Sequence, residues 1–153
     1  MKADFTPSFS EEKLFWDQGV THVLGIDEVG RGCFAGPVVV AGVVFHPQSQ
    51  FAWLSHIHDS KLLSPVLRET LAPLIQTHAL HFSLAQIDVP TINAVGIGKA
   101  TFLGMQHVVK NLSQVVTHTN IGILVDGFSQ RLHLDQGATL TQKAMVKGDQ
   151  KSI

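Results

Sequence analysis

Apolar and polar positions change period several times along the chain, and each change marks an element. Ser8-Phe9-Ser10-Glu11-Glu12-Lys13-Leu14-Phe15-Trp16 reads as a short helix, with Ser8 or Ser10 as N-cap and glutamates in the first turn, where the helix dipole favours negative charge. His22 to Asp27 is predicted as a strand that runs into a glycine-bearing turn, Gly30-Arg31-Gly32. Pro37 to Phe45 is β-branched and almost continuously apolar, the pattern of a strand covered on both faces. The stretch between these two runs is a loop, which allows a hairpin.

Ser64-Pro65 then opens a helix, with Ser64 as N-cap and proline at the first position. Leu67, Leu71, Leu74 and Ile75 fall on one side of it. Pro73 lies inside that pattern and is expected to kink or shorten it. His81 to Val89 returns to strand. Thr91 can cap a third helix, with a stripe of Phe102, Met105, Val109 and Leu112. Gly96, Gly98 and Gly104 should weaken that helix by about 1 kcal/mol each relative to alanine. Ile121 to Val125 is a short buried strand ending at Asp126-Gly127, and Lys143 to Val146 is a last strand before Lys147-Gly148-Asp149. The order is helix, strand, strand, helix, strand, helix, strand, strand, which predicts an α/β domain with a mixed sheet and helices packed on it.

Composition narrows the class without naming the chemistry. A chain of 153 residues is one domain of ordinary size, and 44% hydrophobic against 15% charged is apolar. No run of about 18 apolar residues suggests a membrane span. The first residues lack the basic-then-apolar order of a signal peptide. A single cysteine, Cys33, excludes an internal disulfide and suits a reducing cytoplasm. With its nine histidines neutral the chain carries a net charge of −1. A nucleic-acid binder usually shows a basic face, yet a few well-placed Lys and Arg can hold phosphates locally.

Two acidic positions stand out through what precedes them. Asp27-Glu28 follows Val23-Leu24-Gly25-Ile26, and Asp126 follows Ile121-Gly122-Ile123-Leu124-Val125. A carboxylate at the end of a buried strand lies at the rim of the sheet, where clefts form in α/β folds. Carboxylates crowded there need a cation, and hard oxygen ligands select Mg²⁺ or Mn²⁺ over zinc. Two such ions about 4 Å apart can activate water and stabilise a leaving oxygen in phosphodiester cleavage. Each position also fits a plain turn, and neighbours in a regular strand point to opposite faces, so Asp27 and Glu28 share one site only if the strand twists, bulges or ends there. Gly30-Arg31-Gly32 offers close backbone approach and a forked donor to phosphate, or a simple tight turn. His56 and His58, like His78 and His81, lack a third ligand at motif spacing and read as surface histidines.

Together these segments are far more specific than any one alone. Gly25-Ile26-Asp27-Glu28-Val29-Gly30-Arg31-Gly32-Cys33-Phe34-Ala35-Gly36-Pro37-Val38-Val39 resembles the signature of the ribonuclease HII family (type 2 ribonuclease H). Asp59-Ser60-Lys61-Leu62-Leu63-Ser64, Val125-Asp126-Gly127 and Val146-Lys147-Gly148-Asp149-Gln150-Lys151-Ser152-Ile153 resemble its later motifs, in order. The resemblance implies a ribonuclease H-like fold, a mixed five-stranded sheet flanked by helices. It also implies endonucleolytic cutting of RNA in RNA–DNA hybrids and on the 5′ side of ribonucleotides embedded in duplex DNA. On this resemblance Asp27, Glu28 and Asp126 are the metal-binding carboxylates, with Mn²⁺ or Mg²⁺ as cofactor. Gly30, Arg31 and Gly32 match the loop that reads the RNA–DNA junction through the ribose 2′-hydroxyl, and Lys61 matches a lysine near the substrate backbone.

The family pattern continues into a helix with a fourth catalytic aspartate, a tyrosine that packs on the junction nucleotide, and C-terminal helices that complete the groove. This sequence contains no tyrosine and stops at Ile153. The expectation is therefore a single ribonuclease H-like domain over 1–153, incomplete at its C-terminus and lacking those helices, with three of four carboxylates. Such a form is expected to cut weakly or not at all, the alternative to an active enzyme being a remnant that binds hybrid or junction. RNA–DNA hybrid and ribonucleotide-containing duplex are the expected partners, with no membrane, no obligate protein partner, and a monomer in the cytoplasm.

Overall fold

The computed structural model describes residues 8–114, 120–127, 130–134 and 140–145. Its elements are α1 (Ser10–Trp16), β1 (His22–Val29), β2 (Val38–Val44), a 3-10 turn (Ala52–His56), α2 (Pro65–His78), β3 (His81–Ile87), α3 (Val89–Val95), α4 (Ile97–Ser113), β4 (Ile121–Asp126) and β5 (Leu140–Met145). The strands form one sheet in the order β3-β2-β1-β4-β5. β1 and β2 pair antiparallel, β3 adds antiparallel to β2 after a connection that carries the 3-10 turn and α2, and β4 runs parallel to β1 and β5 parallel to β4. The mixed five-stranded α/β sheet expected from the sequence is the one observed.

The two faces of the sheet are built differently. α4 covers one face, where Met105, Val108, Val109 and Leu112 pack on Leu24, Ile26, Val38, Val40, Ile123 and Val125. Burying a side chain of this size contributes about 1.5–3 kcal/mol, so this layer dominates the core. α1 covers part of the other face, with Phe15 and Val20 against Val23, Leu124 and Met145. β2 is consequently not covered equally on both sides. Val38, Val40, Gly42 and Val44 are buried, while Val39, Ala41 and Val43 are half-buried. The near-continuous apolar run hid an alternation that only the packing reveals.

Close approach between α4 and the sheet depends on two missing side chains. A Cβ on Gly104 would stand 2.6 Å from Val40 Cγ2, and one on Gly42 would collide with Val108 and lie 3.0 Å from Leu24 Cδ1. Gly104 therefore improves packing, although in isolation it weakens the helix. Gly96 ends α3 at φ +82 and separates it from α4, so the expected third helix is two helices. Asp88, not Thr91, caps α3, its carboxylate accepting from the Thr91 N–H at 3.0 Å. Hydrogen bonds from Thr91 hold that carboxyl below the ordinary aspartate range.

Smaller differences have local causes. Phe9 is the N-cap of α1 without a side-chain cap bond, while the Ser8 hydroxyl accepts from the Ser10 N–H instead. α2 runs unbroken through Pro73, which lies on its exposed side, where the carbonyl left without a donor is open to water. Leu71 is the buried member of its apolar stripe. The last strand begins at Leu140, three residues before the expected start, and the expected end at Val146 lies outside the described residues. His78 is more than a surface histidine: it packs edge-on to Phe51 at 4.6 Å, and Phe51 stacks on Trp53 at 5.4 Å, tying the 3-10 turn to α2.

Gly104→Val should lower the unfolding free energy by about 2 kcal/mol in urea titrations, and adding Val40→Ala should restore part of it. A loss unaffected by Val40→Ala would mean that helix propensity, not contact with the sheet, sets the cost. A second test concerns His22, whose ring lies 5.8 Å from that of His81. Burial, with His81 adding to it, pushes the His22 imidazole below its ordinary 6.5. The unfolded chain then binds this proton more readily, so stability is full above 6.5 and falls as pH drops below it, levelling off under the folded value. Urea midpoints at about pH 7.5 and 5.5 should differ less in His22→Gln than in the wild type.

Candidate active site

Parallel pairing of β1 with β4 brings two of the carboxylates together. The register sets Ile26 beside Val125. The next residues, Asp27 and Asp126, thus fall level on neighbouring strands and on the same face, the one opposite α4. Both line a cleft of about 250 Å³. The Asp27 carboxylate accepts from the Glu28 backbone N–H at 2.8 Å. After Asp126 the chain turns at Gly127, with φ +63 and an N–H donated to the Met145 carbonyl at 2.8 Å, which ties that strand end to β5.

The facing wall of the cleft is the loop carrying His58, Asp59, Ser60 and Lys61. Asp59 organises it: its carboxylate accepts from the Lys61 backbone N–H at 2.9 Å, and its carbonyl accepts from the Leu62 N–H at 2.8 Å. The Lys61 ammonium stands 4.0 Å from Asp59, but its side chain is 84% exposed and free to reach a phosphate. Arg68 braces the loop from α2, donating to the Ser60 carbonyl at 2.7 Å and the Leu63 carbonyl at 2.8 Å. Sequence reasoning missed this residue. Its signal was position: it lies one turn after the Ser64 cap, and helical side chains lean back toward the N-terminus.

Glu28 is not brought to that cleft. β1 stays regular through Val29, so Glu28 faces the α4 side, level with Val40, while Asp27 faces the cleft. The Glu28 side chain is only 12% exposed. Its Oε1 accepts from Arg31 at 3.0 Å, and its Oε2 is buried without a hydrogen-bond partner among the described residues. Gly30 follows with φ +105, and any Cβ there would run into the Pro37 carbonyl. Only glycine can make this turn. Arg31 is half exposed, and the space around Gly32 is open. The segment Val146 to Ile153, including Asp149, lies outside the described residues.

Among the described residues no three Asp, Glu, His or Cys side chains converge as a ready metal cluster. Asp27 and Asp126 nonetheless form an all-oxygen pair on one cleft, a donor set that fits a hard divalent cation. Glu28, one residue along the same strand end, is a further carboxylate, but its side chain faces the α4 side and not this cleft. With a cationic lysine opposite, the arrangement can hold a metal ion on one side and a phosphate on the other.

Comparison with known proteins agrees with this reading of the fold. The family model for Ribonuclease HII matches residues 24–153. Ribonuclease HII of Dehalococcoides mccartyi (strain ATCC BAA-2266 / KCTC 15142 / 195) is 40% identical over 112 residues, covering 73% of this chain and 53% of that protein. Ribonuclease HII of Pediococcus pentosaceus is 38% identical over 149 residues, covering 97% and 53%. The chain thus spans about half the length of these curated relatives. Among solved structures, ribonuclease H2 from Pyrococcus horikoshii OT3 superposes with a TM-score of 0.65 at 22% identity, over 84% of this chain and 64% of that one. Bst-RNase HIII in complex with Mn²⁺ gives 0.56 at 25% identity, over 73% and 38%. On a match that runs from the first strand to the last residue, the chain belongs to the ribonuclease HII family.

Proposed function

We propose that this chain, as one domain, is an endoribonuclease that degrades the RNA strand of RNA–DNA hybrids and cuts 5′ of ribonucleotides embedded in duplex DNA. The observation that carries the proposal is the level placement of Asp27 and Asp126 on one cleft, with Lys61 on the facing loop. Asp27 and Asp126 would hold Mn²⁺ or Mg²⁺, with Glu28 as third ligand. Ions held there would supply Lewis-acid chemistry, polarising the scissile phosphate and making a water more acidic. The solved RNase HIII with Mn²⁺ supports a divalent ion in this fold.

The protein's own share is binding and orientation. Lys61 takes a backbone phosphate as a mobile point charge, and Arg31 takes another through its forked guanidinium. The open backbone at Gly32 lets a ribose approach closely enough for its 2′-hydroxyl to be read, while Gly30 fixes the turn that presents it. In the reaction, a water oxygen bonds to phosphorus as the bond to the 3′-oxygen breaks. The products are a 3′-hydroxyl and a 5′-phosphate on the ribonucleotide. The partner is nucleic acid, the working form a monomer without an obligate protein partner, and the exposed Cys33 thiol suits the reducing cytoplasm. No helix among the described residues is long and apolar enough to cross a membrane.

A second reading, binding of hybrid or junction without cutting, draws on Glu28 facing away from the cleft. Cleavage of a duplex DNA containing one ribonucleotide separates the two. The proposal expects a cut 5′ of the ribonucleotide in Mn²⁺, abolished by EDTA and lowered on the order of 10²–10³-fold by Asp27→Asn or Asp126→Asn. Junction-selective binding by a folded chain that never cuts would establish the second reading. Lys61→Gln should weaken substrate binding similarly across sequences and reduce the salt dependence of log K by about one unit of slope. An unchanged slope would remove Lys61 from the phosphate contacts.

A further inference from the structure

The large apolar side chains that solvent reaches are not spread evenly over this molecule. Among the described residues the four most exposed are Phe34, which is wholly exposed, and Leu62, Val66 and Val29, at 78%, 73% and 67%. Singly, such residues are ordinary surface, but all four lie on the two segments that carry the cations of the site. Val29 ends β1 and Phe34 lies on the connection to β2, with Arg31 between them. Leu62 and Val66 follow Lys61 into the first turn of α2. The connection that carries Phe34 is also shaped at both ends. Gly30 turns against the Pro37 carbonyl, the Cys33 N–H donates to the Gly30 carbonyl at 3.3 Å, and Gly36 leads back towards β2 at φ +118. The ring is held out into water.

We propose that Phe34 and Leu62 are nucleic-acid contacts that pack on sugar and base surface beside the phosphates taken by Arg31 and Lys61. This rests on the reading of the cleft as a nuclease site. The company these side chains keep decides the occupant. Arg31 is 46% exposed and Lys61 84%, so each apolar pair comes with a solvated cation. The core of a protein–protein interface is poor in lysine. A nucleic-acid strand instead alternates phosphates with flat, weakly polar rings, and surfaces that bind it mix cations with aromatic side chains. On a duplex, such a ring lies against sugars in the minor groove or wedges part-way into a base step. Part of the affinity is then apolar and indifferent to salt, while Arg31 and Lys61 supply the part that salt weakens.

Binding of a fluorescein-labelled RNA–DNA hybrid, followed by anisotropy in EDTA at several KCl concentrations, separates the two parts. Phe34→Ala should weaken binding by about five- to tenfold at every salt concentration, leaving the slope of log K against log [salt] unchanged. Leu62→Ala should cost about threefold in the same manner. Arg31→Gln should reduce the slope instead. Phe34→Trp should bind at least as tightly as the wild type, because a larger face is offered. As the ring is wholly exposed, Phe34→Ala should keep the thermal midpoint of the wild type. Leu80 is an exposed leucine beside Val44, at the opposite end of the sheet, and Leu80→Ala should leave binding unchanged. An equal loss in Leu80→Ala and Phe34→Ala would show a general surface effect and overturn the contact. Wild-type affinity in Phe34→Ala, alongside a weakened Arg31→Gln, would keep the nucleic-acid face and reject the ring contact, leaving a protein partner for the apolar rim. If Arg31→Gln and Lys61→Gln also bind as the wild type does, or a folded wild type binds no hybrid, the underlying reading of this face fails first.

Discussion

The parallel pairing of β1 with β4 is the constraint on which the rest of this structure depends. Two segments almost a hundred residues apart in sequence are locked in a register that sets Ile26 beside Val125, and a slip of one residue would turn every side chain of one strand to the wrong face. The buried layer under α4 makes that slip costly, since either Leu24 and Ile26 of β1 or Ile123 and Val125 of β4 would leave the core. The same register that satisfies the apolar layer therefore fixes where the two aspartates meet. Packing on one face specifies chemistry on the other.

That division of labour explains the uneven cover of the sheet. The α4 face is sealed by a helix brought in close over Gly42 and Gly104. On the other face, α1 covers the ends of β1 and β4 nearer Val23 and Gly122, with Phe15 against Gly122, and the cover stops short of Asp27 and Asp126. The cleft occupies what is left, bounded by a loop that Asp59 shapes from within and Arg68 holds from α2. The sheet presents one half of the site and a loop braced from α2 the other, so the carboxylates and the lysine that face each other belong to separately held elements.

Much of this was legible in the sequence, for identifiable reasons. The apolar runs before Asp27 and Asp126 are long enough and β-branched enough to announce buried strands, and their ends announce a rim. Element order and sheet type followed from them. What escaped was set by contacts between distant segments. Gly104 looks like a flaw in a helix until Val40 is seen beneath it, and β2 looks uniformly buried until its neighbours occupy only one side. The fate of Glu28 turned on whether β1 continued past Asp27, which no residue near it dictates. Arg68 is an ordinary helical arginine until the loop carbonyls of Ser60 and Leu63 come within its reach.

β3 closes one side of the sheet, and among the described elements no strand pairs with its outer edge. Its sequence, His81-Phe82-Ser83-Leu84-Ala85-Gln86-Ile87, contains no lysine, no acidic residue and no proline, and Phe82 and Leu84 stand exposed side by side on the face away from α4. These are the features by which native proteins usually discourage a foreign strand, and here they are absent. Colloidal behaviour should thus be decided at the margin furthest from β5: a crowded solution meets this molecule first as a row of open backbone amides. A lysine at Leu84 is the substitution that would guard it with least disturbance, since that side chain packs against neither the α4 layer nor the cleft.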